Sequence, residues 1–248
     1  MKKIYIGVGH GGSDSGAVKY LVEKDINLYM AKACRDYLKE NGIETYISRE
    51  DDSYCSLRKK INEANALKVD FAIDIHNNAG GGDGFEVFHS VVGGKGIDFA
   101  KNIEAEVIKI GQNSRGLKTK KATDGSDYFG FIRDTVCPAL IVEGVFVDNE
   151  FDCIMADTKA KCEVFGIAYA KGILKTLNME DKNESKNTTN NNEFKVKTNK
   201  GKVTILKSVD IVSSINEVGV YTITEEKNGW GKLKSGLGWI CLDNVTRL

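Results

Sequence analysis

The stretch F-A-I-D-I-H, residues 71–76, is a short apolar run that ends at a histidine. Two other runs share this form, since I-Y-I-G-V-G-H at residues 4–10 ends at His10 and P-A-L-I-V-E at residues 138–143 ends at Glu143. Short apolar runs bounded by glycine or polar residues are typical of buried parallel strands. Ligands bind at the carboxyl ends of such strands, so the three end residues converge if the strands are neighbours in one sheet.

Strand-like and helix-like segments alternate along residues 1–178. Strands are predicted at 4–9, 43–48, 71–75, 85–90 and 139–142, and helices at 24–41, from 56 onward, at 96–111 and at 159–177. This alternation predicts an α/β fold, with a mostly parallel sheet and helices on both faces.

A linker is predicted over residues 179–192, where M-E-D-K-N-E-S-K-N-T-T-N-N-N offers almost nothing to bury. It separates a first domain, residues 1–178, from a second domain, residues 193–248. Short β-rich runs fill the second domain, and its Asn-Gly pair at 228–229 is typical of a hairpin turn. We expect a small all-β barrel there.

Composition and charge argue against two kinds of partner. The 248 residues include 35 Lys and Arg against 35 Asp and Glu, so no net charge attracts nucleic acid or an anionic membrane surface. No apolar stretch approaches the roughly 18 to 20 residues of a membrane span.

The start M-K-K-I-Y-I has too short an apolar segment for a signal peptide, and the six cysteines form no C-x-x-C pair. We therefore expect synthesis in a reducing cytoplasm without a signal peptide.

Two histidines lie where a metal ligand would be useful. His10 is flanked by glycines that let a metal or a substrate approach closely, and His76 is followed by two asparagines. Two imidazoles and a carboxylate form a catalytic zinc site when water keeps the fourth position. Glu23, Asp14 and Asp25 could supply the carboxylate, and Glu23 is preferred because it opens the first predicted helix.

Glu143 ends a run that is otherwise fully buried, where an unpaired carboxylate is unfavourable. Beside a bound zinc ion it would serve as a general base that takes a proton from water and passes it to the leaving amine. The alternative is a buried salt bridge to Arg49, Arg58 or Arg133.

A competing pattern is formed by Gly7, Gly9 and Gly12, which match the G-x-G-x-x-G spacing of dinucleotide sites. Such a site requires a helix that begins at the last glycine and an acid near the end of the second strand. Ten residues, S-D-S-G-A-V-K-Y-L-V, follow Gly12 before the predicted helix, although Glu50 could mimic the acid. The dinucleotide site is therefore the minor alternative.

Several motifs together resemble the zinc-dependent N-acetylmuramoyl-L-alanine amidases of the Amidase_3 type, over about residues 1–177. The residues that carry the resemblance are G-H-G-G-x-D-x-G-A at 9–17, Glu23, S-L-R at 56–58, D-I-H-N-N-A at 74–79 and E-G-V-F-V-D-N at 143–149.

This resemblance implies a ligand set and a reaction. Zinc (Zn2+) would be held by His10, Glu23 and His76, with Glu143 as the catalytic acid and base. The implied substrate is bacterial peptidoglycan, cleaved at the amide between the lactyl group of N-acetylmuramic acid and the first L-alanine of the stem peptide.

The second domain is similar to bacterial SH3 domains through G-W-G-K-L at 229–233 and G-W-I at 238–240. Such a module would hold the enzyme near insoluble cell wall through the flexible linker. The protein would act on the wall after release, either as a phage endolysin or as an autolysin, and the residues do not separate these two. A wall-binding protein with a structural metal and another zinc peptidase acting on stem peptides remain alternatives. The oligomeric state is left open.

Overall fold

The computed structural model describes residues 1–183, 194–198, 203–207, 210–215, 219–227, 229–233 and 238–248. The chain divides into two compact units, Met1–Asp181 and Lys182–Leu248. Residues 184–192 of the predicted linker and Asn228 of the predicted hairpin turn lie outside the described residues. Met179 packs against the core of the first unit, and Tyr37 Oη donates a hydrogen bond to Asp181.

The first unit has an α/β fold. Its strands are β1 Lys3–Val8, β2 Glu44–Ile47, β3 Phe71–Asn78, β4 Phe85–Phe88, β5 Ser114–Lys118 and β6 Ala139–Phe146. Its helices are α1 Glu23–Glu40, α2 Leu57–Leu67, α3 Lys95–Lys109, α4 Gly130–Asp134, α5 Glu150–Ile154 and α6 Lys159–Thr176. The sequence did not predict β5, α4 and α5, each of which has only five residues. No helix in the parts of the chain described above is long and apolar enough to pass through a membrane.

The six strands form one sheet in the order β2-β1-β3-β6-β4-β5. The first four are parallel to one another, whereas β4 runs antiparallel to β6 and parallel to β5. The predicted α/β class is therefore confirmed, with a mixed sheet. The three strands that carry the motif residues are neighbours at its centre. His76 and Glu143 lie within β3 and β6 rather than after them, because these strands continue to Asn78 and Phe146.

Helices cover both faces of this sheet. The larger apolar core lies under α1, α3 and α6, and it takes in Ile73 and Ile75 of β3. A smaller core lies under α2 and α4, and it takes in Ala72 and Ile141. Since side chains alternate along a strand, His76 and Glu143 lie on the face of the smaller core.

The second unit is an all-β sheet. Its strands are β7 Phe194–Thr198, β8 Val203–Lys207, β9 Asp210–Ile215, β10 Val220–Lys227, β11 Trp230–Leu233, β12 Trp239–Cys241 and β13 Val245–Arg247, in the order β13-β7-β10-β11-β12-β8-β9. The described pairings are all antiparallel. A small core contains Val196, Ile223, Leu233 and Ile240.

Candidate metal centre

Three side chains that the sequence selected as metal ligands lie together near the carboxyl ends of the central strands. His10 follows β1, Glu23 is the first residue of α1, and His76 lies near the end of β3. One ligand atom from each lies within 4.8 Å of the ligand atoms of the other two, and the imidazole ring centroids are 5.0 Å apart. The fold therefore brings together three residues that are far apart along the chain.

The loop after β1 is shaped so that His10 can approach His76. His10 has a left-handed backbone conformation, with φ of 58°. The carbonyl oxygen of Gly9 accepts hydrogen bonds from Arg49 Nη2 and Asn27 Nδ2, both at 3.1 Å. A Cβ atom at Gly9 would lie 2.4 Å from the His76 ring, so glycine is required for the close approach of the second imidazole.

Glu23 is the buried centre of the cluster, with only 4% of its surface exposed. Its Oε2 accepts a hydrogen bond from the amide of Ala17 at 2.9 Å and lies 3.2 Å from His10 Nε2. Its Oε1 accepts from the amide of Asn77 at 3.1 Å and lies 3.0 Å from His76 Nδ1. Burial would raise the pKa of Glu23, but the hydrogen bonds from the two imidazoles hold it well below its usual range. The carboxylate is therefore ionised.

Each imidazole faces an aspartate with its other nitrogen. His10 Nδ1 lies 2.9 Å from Asp14 Oδ1, and His76 Nε2 lies 3.6 Å from Asp74 Oδ2. The sequence indicated Asp14 only as a possible third ligand and did not single out Asp74. A carboxylate inside an apolar run, two residues before a candidate ligand, was the available signal for Asp74. Asp25, the remaining alternative for the third ligand, is exposed.

The neighbouring carboxylates favour the protonated forms of the two imidazoles. The hydrogen bond to Glu23 raises the pKa of His10. Burial alone would lower the pKa of His76, but the Asp74 carboxylate 3.6 Å from its Nε2 outweighs burial and raises that pKa to about 10. Surroundings that favour protonated rings also attract a cation, and two imidazole nitrogens with a carboxylate oxygen suit a divalent transition metal. The residues present therefore fit a bound metal ion.

Glu143 lies beside this cluster on the neighbouring strand. It is paired in register with His76 on β3 and with Glu86 on β4. Its Oε2 atom is buried without a hydrogen-bond partner among the described residues, and burial raises the pKa of this carboxyl to about 7. A carboxyl group in this state can exchange a proton near neutral pH.

The salt bridge considered for Glu143 does not form within the described ranges. Arg49 donates to main-chain oxygens, including that of Lys24 at 2.7 Å. Arg133 pairs with Asp134 at 3.0 Å, and Arg58 is exposed on α2. The salt-bridge alternative is therefore wrong.

The dinucleotide alternative is also wrong. α1 begins at Glu23 and not at Gly12, so no helix starts on the last glycine of the pattern. Glu50, which could have mimicked the ribose-binding acid, is paired with Arg35.

A second carboxylate flanks Glu143 on β4. Glu86 accepts hydrogen bonds from Arg115 Nε at 2.6 Å and from Asn78 Nδ2 at 3.2 Å. The Arg115 guanidinium also lies over the Phe146 ring, 5.3 Å from its centroid. The sequence did not select Glu86 or Arg115, although a glutamate between apolar residues of a strand was a signal for Glu86. The ion pair compensates part of the negative charge next to Glu143.

Comparisons with known proteins agree with this geometry. Residues 4–175 match the family model described as N-acetylmuramoyl-L-alanine amidase, Amidase_3. The sporulation-specific N-acetylmuramoyl-L-alanine amidase of Bacillus subtilis (strain 168) is 34% identical over 190 residues, which cover 75% of this chain and 72% of that protein. The endolysin of Bacillus phage SPP1 is 29% identical over 216 residues, 83% of this chain and 76% of that protein. The catalytic domain of the amidase CwlV from Bacillus (Paenibacillus) polymyxa var. colistinus superposes with a TM-score of 0.64 at 27% identity, covering 73% of this chain and 100% of that one.

Apart from Lys3 at the start of β1, the matched region contains the six strands of the first unit's sheet, together with the residues around Glu143. It defines an enzyme that hydrolyses bacterial peptidoglycan. Within that class the chain belongs to the N-acetylmuramoyl-L-alanine amidase family of the Amidase_3 type. The family resemblance read from the sequence motifs is confirmed.

Proposed function

We propose that this amidase is zinc-dependent and cleaves the amide between the lactyl group of N-acetylmuramic acid and the first L-alanine of the stem peptide. His10, Glu23 and His76 would hold the zinc. The observation that carries the proposal is the approach of their ligand atoms to within 4.8 Å of one another, beside Glu143, which is paired in register with His76. Borderline nitrogen and oxygen donors of this kind are those that catalytic zinc sites use.

Glu143 is proposed as the group that moves protons. Its carboxylate would take a proton from the attacking water, and the resulting acid would give that proton to the leaving L-alanine amine. Burial raises its pKa to about 7, so both protonation states are accessible at neutral pH. Zinc, when bound, would polarise the scissile carbonyl and make water more acidic. Asp14 and Asp74 would hold the two imidazoles in orientation through their outward nitrogens.

The test combines zinc titration with analysis of the products from purified cell walls. Protein stripped by a chelator should lose activity, and added Zn2+ should restore both the fall in turbidity and the release of new N-terminal alanine. New internal peptide amines instead of alanine would favour another zinc peptidase. Zinc and wall binding without any new amine would favour a wall-binding protein with a structural metal.

The second unit is proposed to be a wall-binding, SH3-like domain of residues 193–248, joined through the linker 179–192 to the catalytic domain 1–178. Its antiparallel sheet and small apolar core support this proposal. A chain truncated after Asp181 should still cleave soluble muropeptides but should adsorb less to intact walls. Equal adsorption of both chains would contradict the wall-binding role.

The proposed place of action is the bacterial cell wall, and peptidoglycan is the only partner proposed. Similarity to a sporulation amidase and to a phage endolysin supports action on walls without separating an autolysin from an endolysin. Synthesis in the cytoplasm followed by release stays a prediction. Expression with and without a co-expressed holin, followed by culture turbidity, tests the route.

A further inference from the structure

A buried ion pair lies behind the outward nitrogen of His76. Lys60 of α2 donates from Nζ to both carboxylate oxygens of Asp74, at 2.8 and 3.0 Å. Only 4% of Lys60 and 2% of Asp74 are exposed. A Cβ atom at Gly7 would lie 2.3 Å from Asp74 Oδ1, so the carboxylate occupies space that a glycine leaves free. The pair is enclosed and lies directly against a proposed metal ligand.

The two imidazoles of the site are supported differently. The side chain of Asp14, which faces His10, is 47% exposed and lies in the same loop. Asp74, which faces His76, comes from β3 and is held by a lysine from a separate helix. The orientation of His76 therefore depends on the packing of α2 against the sheet.

A contribution to folding alone does not explain this pair. Removing two charges from water is unfavourable, and apolar residues of similar volume often stabilise a fold as well as a buried ion pair or better. Groups behind metal-bound histidines, in contrast, fix the plane of the ring and which nitrogen faces the metal. Here His76 Nδ1 faces Glu23, and Nε2 faces Asp74.

We propose that Lys60 is a positioning residue of the metal centre: it fixes Asp74, and Asp74 in turn fixes the ring of His76 with Nδ1 directed at Glu23. This inference rests on the proposed zinc function. Lys60 would touch neither metal nor substrate, and its effect would pass through two side chains of the fold.

The decisive variant replaces both charges with apolar groups, Lys60→Met together with Asp74→Leu. Three quantities are measured: the Tm of the metal-free protein, the Zn2+ dissociation constant by competition with a chromophoric chelator, and the absorption spectrum of bound Co2+. We expect an unchanged or higher Tm, a Zn2+ dissociation constant raised about 10- to 100-fold, and an altered Co2+ spectrum.

The matched control is Lys109→Met, which removes a lysine from the buried Glu106 of α3, at 2.7 Å. Its Zn2+ dissociation constant and the absorption spectrum of its bound Co2+ should equal those of the unchanged protein. A second variant, Lys60→Met with Asp74→Asn, keeps a carbonyl oxygen beside His76, and it should weaken Zn2+ binding less than the apolar pair does.

The outcomes separate this inference from the proposed function. Unchanged Zn2+ and Co2+ binding in both double variants would overturn the role of Lys60 while leaving the zinc proposal intact. Unfolding of both metal-free double variants would assign the ion pair to stability alone and would also overturn it. Failure of the unchanged protein to bind Zn2+ or Co2+ would instead refute the zinc proposal itself.

Discussion

The two faces of the sheet in the first unit differ in what their strands present. On β3, Ile73 and Ile75 point into the large core and are fully buried. The opposite face begins with the apolar Ala72 and continues with Asp74 and His76. Apart from the buried Asn77 near its end, the first face of β3 is apolar, whereas the second face changes from an apolar side chain to a carboxylate and an imidazole along the same strand. Polar residues at alternate positions of an otherwise apolar run are therefore the local signal of the site.

The largest expected effect lies on the polar face, with Glu143→Gln. The amide has nearly the same shape but cannot carry the proton, so kcat should fall about 10²- to 10⁴-fold. The Zn2+ dissociation constant and Tm should stay close to those of the unchanged protein. The assay is the release of N-terminal alanine from purified walls.

The control for this variant is Glu163→Gln on α6, where a surface glutamate lies 3.7 Å from Lys159. It should leave kcat unchanged. Full wall hydrolysis by the Glu143→Gln protein would show that Glu143 does not transfer protons in the reaction. It would also contradict the proposal that the chemistry of the two faces differs through this residue.

The next effect lies on the apolar face of the same strand, with Ile73→Ala. Truncation of a fully buried isoleucine should lower the free energy of unfolding by about 2–5 kcal/mol. Activity per folded molecule should be retained well below the Tm, because the side chain points away from the site. Urea denaturation with activity at low temperature measures both. A loss of kcat as large as that of Glu143→Gln would show that the faces are not separable.

Most of the first unit's fold could be predicted because its central strands are apolar runs and its long helices have apolar stripes. β5 could not, since S-R-G-L-K at residues 114–118 contains only one large apolar residue and forms an edge strand. The reversed direction of β4 could not be predicted either, because an alternating run does not encode whether its neighbour is parallel. Sequence reasoning could select His10, Glu23 and His76, but only the fold shows them in contact.

The environment of the cluster was harder to predict than its members. Lys60 and Asp74 come from a helix and a strand, and neither type of element reveals from sequence alone which side chains of the other it will contact. Arg115 lies in a strand that was not predicted, so its pairing with Glu86 had no sequence signal. Interactions between separate elements depend on packing geometry, which residue spacing does not specify.

A smaller effect is expected just after β1, with Gly9→Ala. The new methyl group would lie 2.4 Å from the His76 ring and would force it to move, at about 1–3 kcal/mol. We expect weaker Zn2+ binding together with a lower Tm. The control is Gly96→Ala in α3, where a Cβ atom would meet nothing closer than 3.9 Å. Equal Zn2+ binding by both variants would show that the imidazoles tolerate a wider separation.

The smallest expected effect concerns the N-terminal caps of α2 and α6, the helices that pack on opposite faces of the sheet. Ser56 caps α2 by accepting a hydrogen bond from the amide of Lys59 at 3.3 Å, and Thr158 caps α6 in the same way at 3.2 Å from Lys161. Loss of either hydroxyl, in Ser56→Ala or Thr158→Ala, should lower the free energy of unfolding by about 1 kcal/mol.

The two capped helices differ in what they position. α2 carries Lys60 to Asp74, whereas α6 packs on the large apolar core and carries none of the metal-centre residues described above. We expect both variants to have the Zn2+ dissociation constant of the unchanged protein, because the packing of Ile61 and Ala64 on the sheet holds α2 in place. A Zn2+ constant raised in Ser56→Ala alone would mean that the first turn of α2, rather than its packed face, sets the position of Lys60. In that case the two faces would also differ in their helices, because fraying of the first turn of α2 would weaken Zn2+ binding and fraying of the first turn of α6 would not.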